Sequence, residues 1–555
     1  MGIDLVVLRT RAGWRVFQGR CPHQGALLGE GELDGQTLVC RNHRWRFSDE
    51  SGERHGGPEC LTAYPACESG GEILVEVGEA LHDEPKQAGA RGLRRVSDLP
   101  GPSGLPLLGN FLQLDLARLH AILEGWADRY GPLYRYRMGP RSVVVVSDPK
   151  LSQQVLRQRP ETFRRLSNVE PVFAEMGVAG VFSAEGDAWR RQRRLAMEAL
   201  SHRHLEGFYP TLRRVAERLC RRWQRAADAG APIAILDDLK RFTVDVTTLL
   251  TFGHDIDTLE QGDEVIQRRL EQVFPAFNRR LFALLPTWRV FRSRADRRLD
   301  RALAELRAWL RELVAAARAR SRDDPVRSEA PANFLEAMLS ARDQAGQPFP
   351  EEAIFGNLMT MLLAGEDTTA YTLGWAVHHL CDSPASVAAL REELDDVLGS
   401  AALPADIDAA NKLAYAGAVA NEAMRLRPVA PLLFLETNVE TVLGDVALPA
   451  RAQVAILTRP PARDASNFAE PAVFLPKRWL AAGAGPHEPS VHIPFGTGPR
   501  LCPGRTLALL EMKLVLATLY KNFDVRREGD ADAVRESFAF TMHPVGLSVR
   551  LGRRA

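Results

Sequence analysis

Four residues near the start of the chain carry the donor atoms of a metal site: Cys21 and His23 as Cys-x-His, Cys40 and His43 as Cys-x-x-His. Structural zinc usually takes a cysteine pair at one end of its site and a histidine pair at the other. Here each arm holds one thiolate and one imidazole. That order suits a two-iron cluster in which one iron takes both sulfurs and the other both imidazoles, with zinc as the alternative. A second site lies in "PFGTGPRLCPGRTLALLEMKLVLATLY", residues 494–520. Cys502 stands just before a helix N-terminus, where free N–H groups and the positive dipole end favour a thiolate. Gly498 and Gly504 allow the backbone to approach a large flat ligand, and Arg500 is suited to a carboxylate. A third stretch, residues 365–369, puts Gly365, Glu366, Asp367, Thr368 and Thr369 at the centre of a long apolar helix. Glycine costs about 0.8–1.0 kcal/mol against alanine there, and Thr and Asp offer bonds that compete with the helical ladder. Local inconsistency inside a good helix is where function is expected.

The first stretch, with "RWRFSDESG" and "GGEILVEV" after it, resembles the Rieske [2Fe–2S] domain, which implies a [2Fe–2S] cluster on Cys21, His23, Cys40 and His43. Arg41 stands where that family usually has Pro. Only 20 residues precede Cys21, which implies a trimmed domain or a start further upstream. Ala26 and Asn42 occupy the positions of the disulfide that high-potential members carry between their ligand loops. The resemblance is therefore to the low-potential, ferredoxin-like branch, which carries single electrons.

Phe495, Gly498, Arg500, Cys502 and Gly504 together resemble the haem-binding signature of the cytochrome P450 family, and the resemblance extends over residues 99–555. It implies haem b, with Cys502 as axial ligand and Arg500 on a propionate. "NEAMR" supplies Glu422 and Arg425, three apart on one helix face; in the family this pair joins a downstream arginine, here Arg478, to brace the haem core. "GDAWRRQRR" supplies Trp189 and Arg193, which resemble a second set of propionate partners. The family's usual arginine after the Glu-x-x-Arg helix is missing from "PLLFLETN", so one propionate contact must come from elsewhere. The 365–369 stretch resembles the oxygen-activation motif. There Gly365 opens the dioxygen groove, Thr368 bonds the bound oxygen, and Asp367 relays protons. Keeping this acid–alcohol pair implies reductive O2 activation rather than direct use of peroxide.

These readings give a multidomain chain: a small all-β Rieske-like domain over 1–80, a polar linker over 81–98, and a large mainly-α P450 fold with a minor β region over 99–555. Strands are expected in "DLVVL", "WRVF", "TLVC" and "EILVEV", a hairpin turning at Gly139-Pro140, and a long amphipathic surface helix in "ADRRLDRALAELRAWLRELVAAARARS". The chain has 555 residues and a formal net charge of +1, which argues against a nucleic-acid partner. Its 7 cysteines do not suggest a disulfide framework. No apolar run is long enough to span a membrane, so a cytoplasmic location is expected.

The implied function is monooxygenation of an apolar small molecule by O2, with the cluster passing electrons to the haem. No Gly-x-Gly-x-x-Gly follows a strand, so a separate NAD(P)H-dependent reductase is expected. The acidic stretch of Glu30, Glu32 and Asp34 is expected to dock near Arg190, Arg191 or Arg194. "LSNVEPVFAEMGVAGVF" and "VFPAFNRRLFALLPTW" border the pocket by family analogy, with Arg279 and Arg280 expected at the surface. The rival readings are a Rieske non-haem oxygenase, which needs a 2-His-1-carboxylate iron site, and a non-catalytic redox or gas sensor.

Overall fold

Alternating side chains in the first segment bury Val6 and Leu8 while leaving Val7 exposed, the mark of a strand with one face on a core. In the computed structural model Leu5–Thr10 pairs antiparallel with Gly13–Gln18, and Ala63–Tyr64 adds a third strand. A second sheet is formed by Glu32–Asp34, Thr37–Val39 and Arg46–Ser48. Phe17, Leu28, Leu38, Phe47 and Leu61 fill the space between, and Cys21 and Cys40 are buried among them. The structure describes residues 4–11, 13–23, 25–41, 44–69, 72–76, 92–261, 265–270, 272–281, 283, 286–323, 331–342, 346–480 and 487–554. His43 and Asn42 lie outside that set, as does most of the expected linker. Within 92–98, Arg94–Arg95 pairs parallel with Val446–Leu448, and Arg94 forks onto Asp445 at 2.7 and 2.8 Å. That end of the expected linker is thus anchored to the second domain.

The second domain is mainly helical. Its largest sheet runs in the order Leu133–Met138, Arg141–Val146, Gln453–Leu457, Leu432–Thr437, Phe163–Arg165. The first two strands form the hairpin at Gly139-Pro140, with Met138 opposite Arg141. The Arg294–Asp323 helix buries Leu299, Leu303, Leu306, Leu310, Val314 and Ala317, a stripe at helical spacing, and turns its charged face outward.

At the centre lies Glu351–Cys381. Glu351 and Glu352 in its first turn and His378 and His379 in its last suit the helix dipole. It packs against Ile235–Phe252, Ala414–Leu426 and Arg505–Asn522, which brings residues 365–369, 422–425 and 502–505 into one region. No helix among the described residues is long and apolar enough to cross a membrane.

Candidate functional site

Cys502 sits between the short turn Gly498–Arg500 and the helix Arg505–Asn522. Its N–H donates to the Phe495 carbonyl at 2.9 Å, which closes the loop. Gly498 has φ +71°, and a Cβ there would sit 2.5 Å from the Leu156 carbonyl oxygen. The glycine is therefore required by the end of the Pro149–Arg157 helix. A Cβ at Gly504 would meet only the Cys502 sulfur, at 3.8 Å. Burial pushes the Cys502 thiol up, against the Gly504 N–H and the charges of Arg193, Arg41 and Arg505. The helix terminus alone does not make the thiolate; a coordinated metal would, since it deprotonates a thiol outright.

The central turn of Glu351–Cys381 presents an open face. Met361, Gly365 and Thr368 are only half-buried and Ala364 is exposed, while Glu366, Asp367 and Thr369 are buried. That spacing is one helical stripe. The Thr368 hydroxyl donates to the Ala364 carbonyl at 2.9 Å. Behind it, Asp367 Oδ1 lies 3.6 Å from Lys240 Nζ. Lys240 also sits over the Tyr371 ring, which stacks on His543. Gly365 has a reason the sequence did not show. A Cβ there would come 2.4 Å from Thr247 Oγ1, so the residue is fixed by close approach of Ile235–Phe252.

Around Glu185 three guanidinia gather: Arg500 pairs with it directly, and Arg159 and Arg165 interact with it electrostatically. Arg500 donates to the Ala184 carbonyl at 2.9 Å and to Glu185, and lies 4.1 Å over the buried Trp189 ring. Arg165 donates to the Phe182 carbonyl at 2.6 Å, and Arg159 is buried. Burial, together with the charge of another member of the group, lowers all three to about 9. Nε and one terminal nitrogen of both Arg159 and Arg500 have no hydrogen-bond partner. Buried donors without acceptors are costly. Three cations against one carboxylate leave the charge that a dianion such as the two haem propionates would neutralise, so these residues fit the group. Arg193 acts electrostatically on Arg500 and Cys502, and its guanidinium forks onto Glu30 of the first domain at 2.7 and 2.9 Å. Arg159 and Arg165, which no motif marked, are further cations of this group. Replacing Arg159 by Met is expected to move the two forms of the protein in opposite directions. The apoprotein gains thermal stability by losing an unsatisfied buried cation, while the holoprotein releases haem faster by at least about tenfold, one charge-assisted bond being worth about 1.5–3 kcal/mol. Calorimetry on the apoprotein and haem transfer to an acceptor protein measure the two.

The bracing triad is complete. Glu422 accepts from Arg425 Nε at 2.9 Å and its terminal nitrogen at 2.8 Å, from Arg478 Nε at 3.1 Å, from Trp479 Nε1 at 2.9 Å and from the Leu475 N–H at 2.9 Å. Arg280, expected at the surface, is buried against Asp296 and sits over Trp288; Arg279 is exposed. A residue the motifs missed is Glu511, buried one helix face away and bonded to Thr369, with its carboxyl pushed up to about 8 by burial.

In the first domain both ligand loops are closed the same way: the Cys21 N–H donates to the Ala26 carbonyl at 2.8 Å and the Cys40 N–H to the Trp45 carbonyl at 2.7 Å. His23 stacks on Trp45 at 4.3 Å, and Arg54 caps the other side of the indole at 3.6 Å. Both loops rest on the second domain behind Cys502. Arg157 donates to the His23 carbonyl. Arg41 donates to the Pro503 carbonyl at 2.6 Å and to the Leu200 carbonyl at 3.2 Å. The acidic loop thus docks through Glu30 on Arg193, while Arg190 takes Asp4, and Arg191 and Arg194 are exposed. Glu32 and Asp34 pair within their own domain, with Arg44 and Arg46. A cleft of ≈ 700 Å³ opens beside Arg41 between the two domains.

A cysteine loop at the head of a helix that packs on the central helix, an open stripe on that central helix and a cationic cluster around Arg500 are the elements of a haem-thiolate fold. The chain belongs to the cytochrome P450 family, whose profile matches residues 99–551, and residues 1–65 match the Rieske [2Fe-2S] domain. It is 31% identical over 474 residues to the mitochondrial 25-hydroxyvitamin D-1 alpha hydroxylase of Mus musculus, covering 80% of this chain and 90% of that one. It is 27% identical over 441 residues to the chloroplastic protein LUTEIN DEFICIENT 5 of Arabidopsis thaliana, covering 77% and 72%. It also matches a bifunctional cytochrome P450/NADPH–P450 reductase of Gibberella moniliformis at 27% identity over 466 residues; this spans 82% of the chain but 40% of that protein. The crystal structure of the cytochrome P450DA heme domain superposes with a TM-score of 0.74 at 23% identity, covering 84% of this chain and 99% of that one. The chain is a cytochrome P450 monooxygenase joined to a Rieske domain, which implies haem, a [2Fe–2S] cluster, O2 and an organic substrate.

Proposed function

We propose that the chain oxygenates an apolar small molecule, and that its Rieske domain relays electrons from a separate NAD(P)H-dependent reductase. When bound, the cluster carries one electron at a time and the haem-thiolate group activates dioxygen. Cys21, His23, Cys40 and His43 would hold the cluster, and Cys502 the haem iron. Arg500, Arg159 and Arg165 would take the propionates, with Trp189 under Arg500. Thr368 presents its hydroxyl on the open helical face, and Asp367, held beside Lys240, supplies protons from behind it. Substrate binding falls to an apolar region in which Phe173, Phe182, Phe277 and Phe540 pack edge to face or stacked, with centroids 4.4–5.8 Å apart.

One observation carries the relay: both ligand loops of the Rieske domain sit on the face behind Cys502, one through Arg157 and one through Arg41. A tethered donor acts at an effective concentration on the order of millimolar, and docking fixes its orientation as well. The test is full-length Cys21→Ser with haem loaded, supplied with NAD(P)H and a separate reductase. Substrate-dependent NAD(P)H oxidation is expected to fall to background, while dithionite and CO still give the red-shifted Soret band. Turnover at the wild-type rate without a cluster would sink the relay.

A further inference from the structure

Arg41 follows the ligand Cys40 directly, at a position where Pro is usual in Rieske domains. Its guanidinium reaches across the domain boundary to three groups: the Pro503 carbonyl at 2.6 Å, the Leu200 carbonyl at 3.2 Å and the Met197 sulfur at 3.2 Å. Pro503 in turn follows Cys502. One side chain thus joins the residue after one cysteine ligand to the residue after the other, through a single hydrogen bond. A proline could make no such bond, and a lysine, with one nitrogen, cannot reproduce the two-nitrogen fork by which Arg41 holds both carbonyls through one terminal nitrogen and the Met197 sulfur through the other. Leu200 and Met197 belong to the end of the Gly186–Ala199 helix, whose Arg193 is already paired with Glu30. The same helix end therefore fixes the Rieske domain at two points. Arg505, the first residue of the helix after Cys502, is a second cation of this boundary and interacts electrostatically with both Cys40 and Cys502.

We infer that Arg41 is a positioning residue for electron transfer: it clamps the Cys40 loop onto Pro503 and places a positive charge beside the Cys502 sulfur. This rests on the relay reading. In the step concerned one electron leaves the reduced cluster and one arrives at the haem iron, with no bond made and no proton exchanged. The clamp shortens the path and fixes the docked geometry. The charge favours the more negative, reduced state of the thiolate-ligated centre, and so raises its potential toward that of the donor. Net charge and hydrogen bonding near a sulfur ligand are general levers on potential. Here they answer an energetic need, since Rieske potentials of about −150 to +300 mV lie above those of plant-type ferredoxins, near −400 mV.

The experiment compares full-length holoprotein in four forms: wild type, Arg41→Gln, Arg41→Lys and the control Arg46→Gln. Arg46 pairs with Asp34 inside the Rieske domain, so its loss removes the same charge without touching the boundary. The cluster signal is first verified by electron paramagnetic resonance. A photosensitiser then delivers one electron to the cluster under CO, and growth of the red-shifted Soret band times its arrival at the haem. Haem potential is measured separately by titration. Arg41→Gln is expected to slow arrival at least tenfold and to shift the electron's distribution toward the cluster by up to tenfold, which is about 59 mV for one electron. Arg41→Lys is expected to restore the potential but not the rate, and Arg46→Gln to change neither. Wild-type rate and potential in Arg41→Gln would overturn the inference, and a slowed rate with an unmoved potential would overturn its charge half. If even wild type passes no electron from cluster to haem, the relay reading fails, and the clamp with it. The potential of Arg41→Gln still decides the effect of the charge.

Discussion

Replacing Glu422 with alanine is expected to abolish haem-loaded protein. Glu422 and Arg425 are both 0% exposed, and Arg478 beside them is buried. The carboxylate accepts five hydrogen bonds, so its removal strands two guanidinia, an indole N–H and a backbone N–H at once. Breaking a buried pair from one side costs about 3–5 kcal/mol, a large part of the typical stability of a domain, about 5–15 kcal/mol. The consequence reaches the haem pocket because the two arginines are also fasteners. Arg425 donates to the carbonyls of Ala462, Pro471 and Val473, and Arg478 to those of Ala469 and Glu470. Residues 462–479 hang on these bonds, and the Cys502 loop follows them in the chain. Expression of Glu422→Ala should therefore give aggregated or haem-free protein, read from the ratio of Soret to protein absorbance. The triple variant Glu422→Leu with Arg425→Met and Arg478→Met tells charge from fastening. Apolar replacement of a whole buried ionic group, pair or triad, is often neutral for stability. It is expected to recover folded domain, as seen by circular dichroism, without recovering haem. Normal haem content in Glu422→Ala would refute the role of the triad.

What could be read in the sequence was whatever is local along the chain. Cys21 with His23, and Cys502 with its flanking glycines, announce themselves because metal ligands cluster within a few residues of one another. The long helices were legible from their apolar spacing, as Leu299 to Ala317 shows. Contacts closed by folding were not. Arg193 stands in a recognisable motif, yet its partner is Glu30, 163 residues away. Arg159 and Arg165 carry no motif, and their meeting with Arg500 depends on how a loop passes the Cys502 segment. Gly365 was noticed for its oddity inside a helix, but the reason lies on a neighbouring helix, at Thr247. Arg41 was visible as a departure from the Rieske pattern, and only the docked domains give that departure a consequence. The two modules are thus each legible alone, while the boundary that joins them is a tertiary property.

Glutamine at position 511 is expected to flatten the dependence of stability on pH. Glu511 is 3% exposed, and burial raises its carboxyl from 4.5 to about 8 while the bond to Thr369 works in the opposite direction. Between those values the folded protein keeps a proton that the unfolded chain gives up. Stability is therefore fully present below about pH 4.5 and is lost as pH rises through about 8. Linkage at about 1.4 kcal/mol per pH unit across that window sets an upper bound of about 5 kcal/mol on the loss. Glutamine keeps the shape and the bonding groups but has nothing to ionise. Glu511→Gln should match wild type near pH 5, exceed it increasingly up to about pH 8 and keep a constant margin above that, in thermal midpoints taken from pH 5 to 9. Thr369→Val removes a bond that favours the charged form, so it should raise the Glu511 carboxyl further and extend the sloping region upward. Glu511 joins the helix that follows Cys502 to the helix that carries Thr368, so alkaline loss of stability should begin at their contact. In wild type the Soret band should then change before far-ultraviolet circular dichroism does, and in Glu511→Gln the two should change together. Parallel slopes in wild type and Glu511→Gln would show that this carboxyl is not the group that titrates.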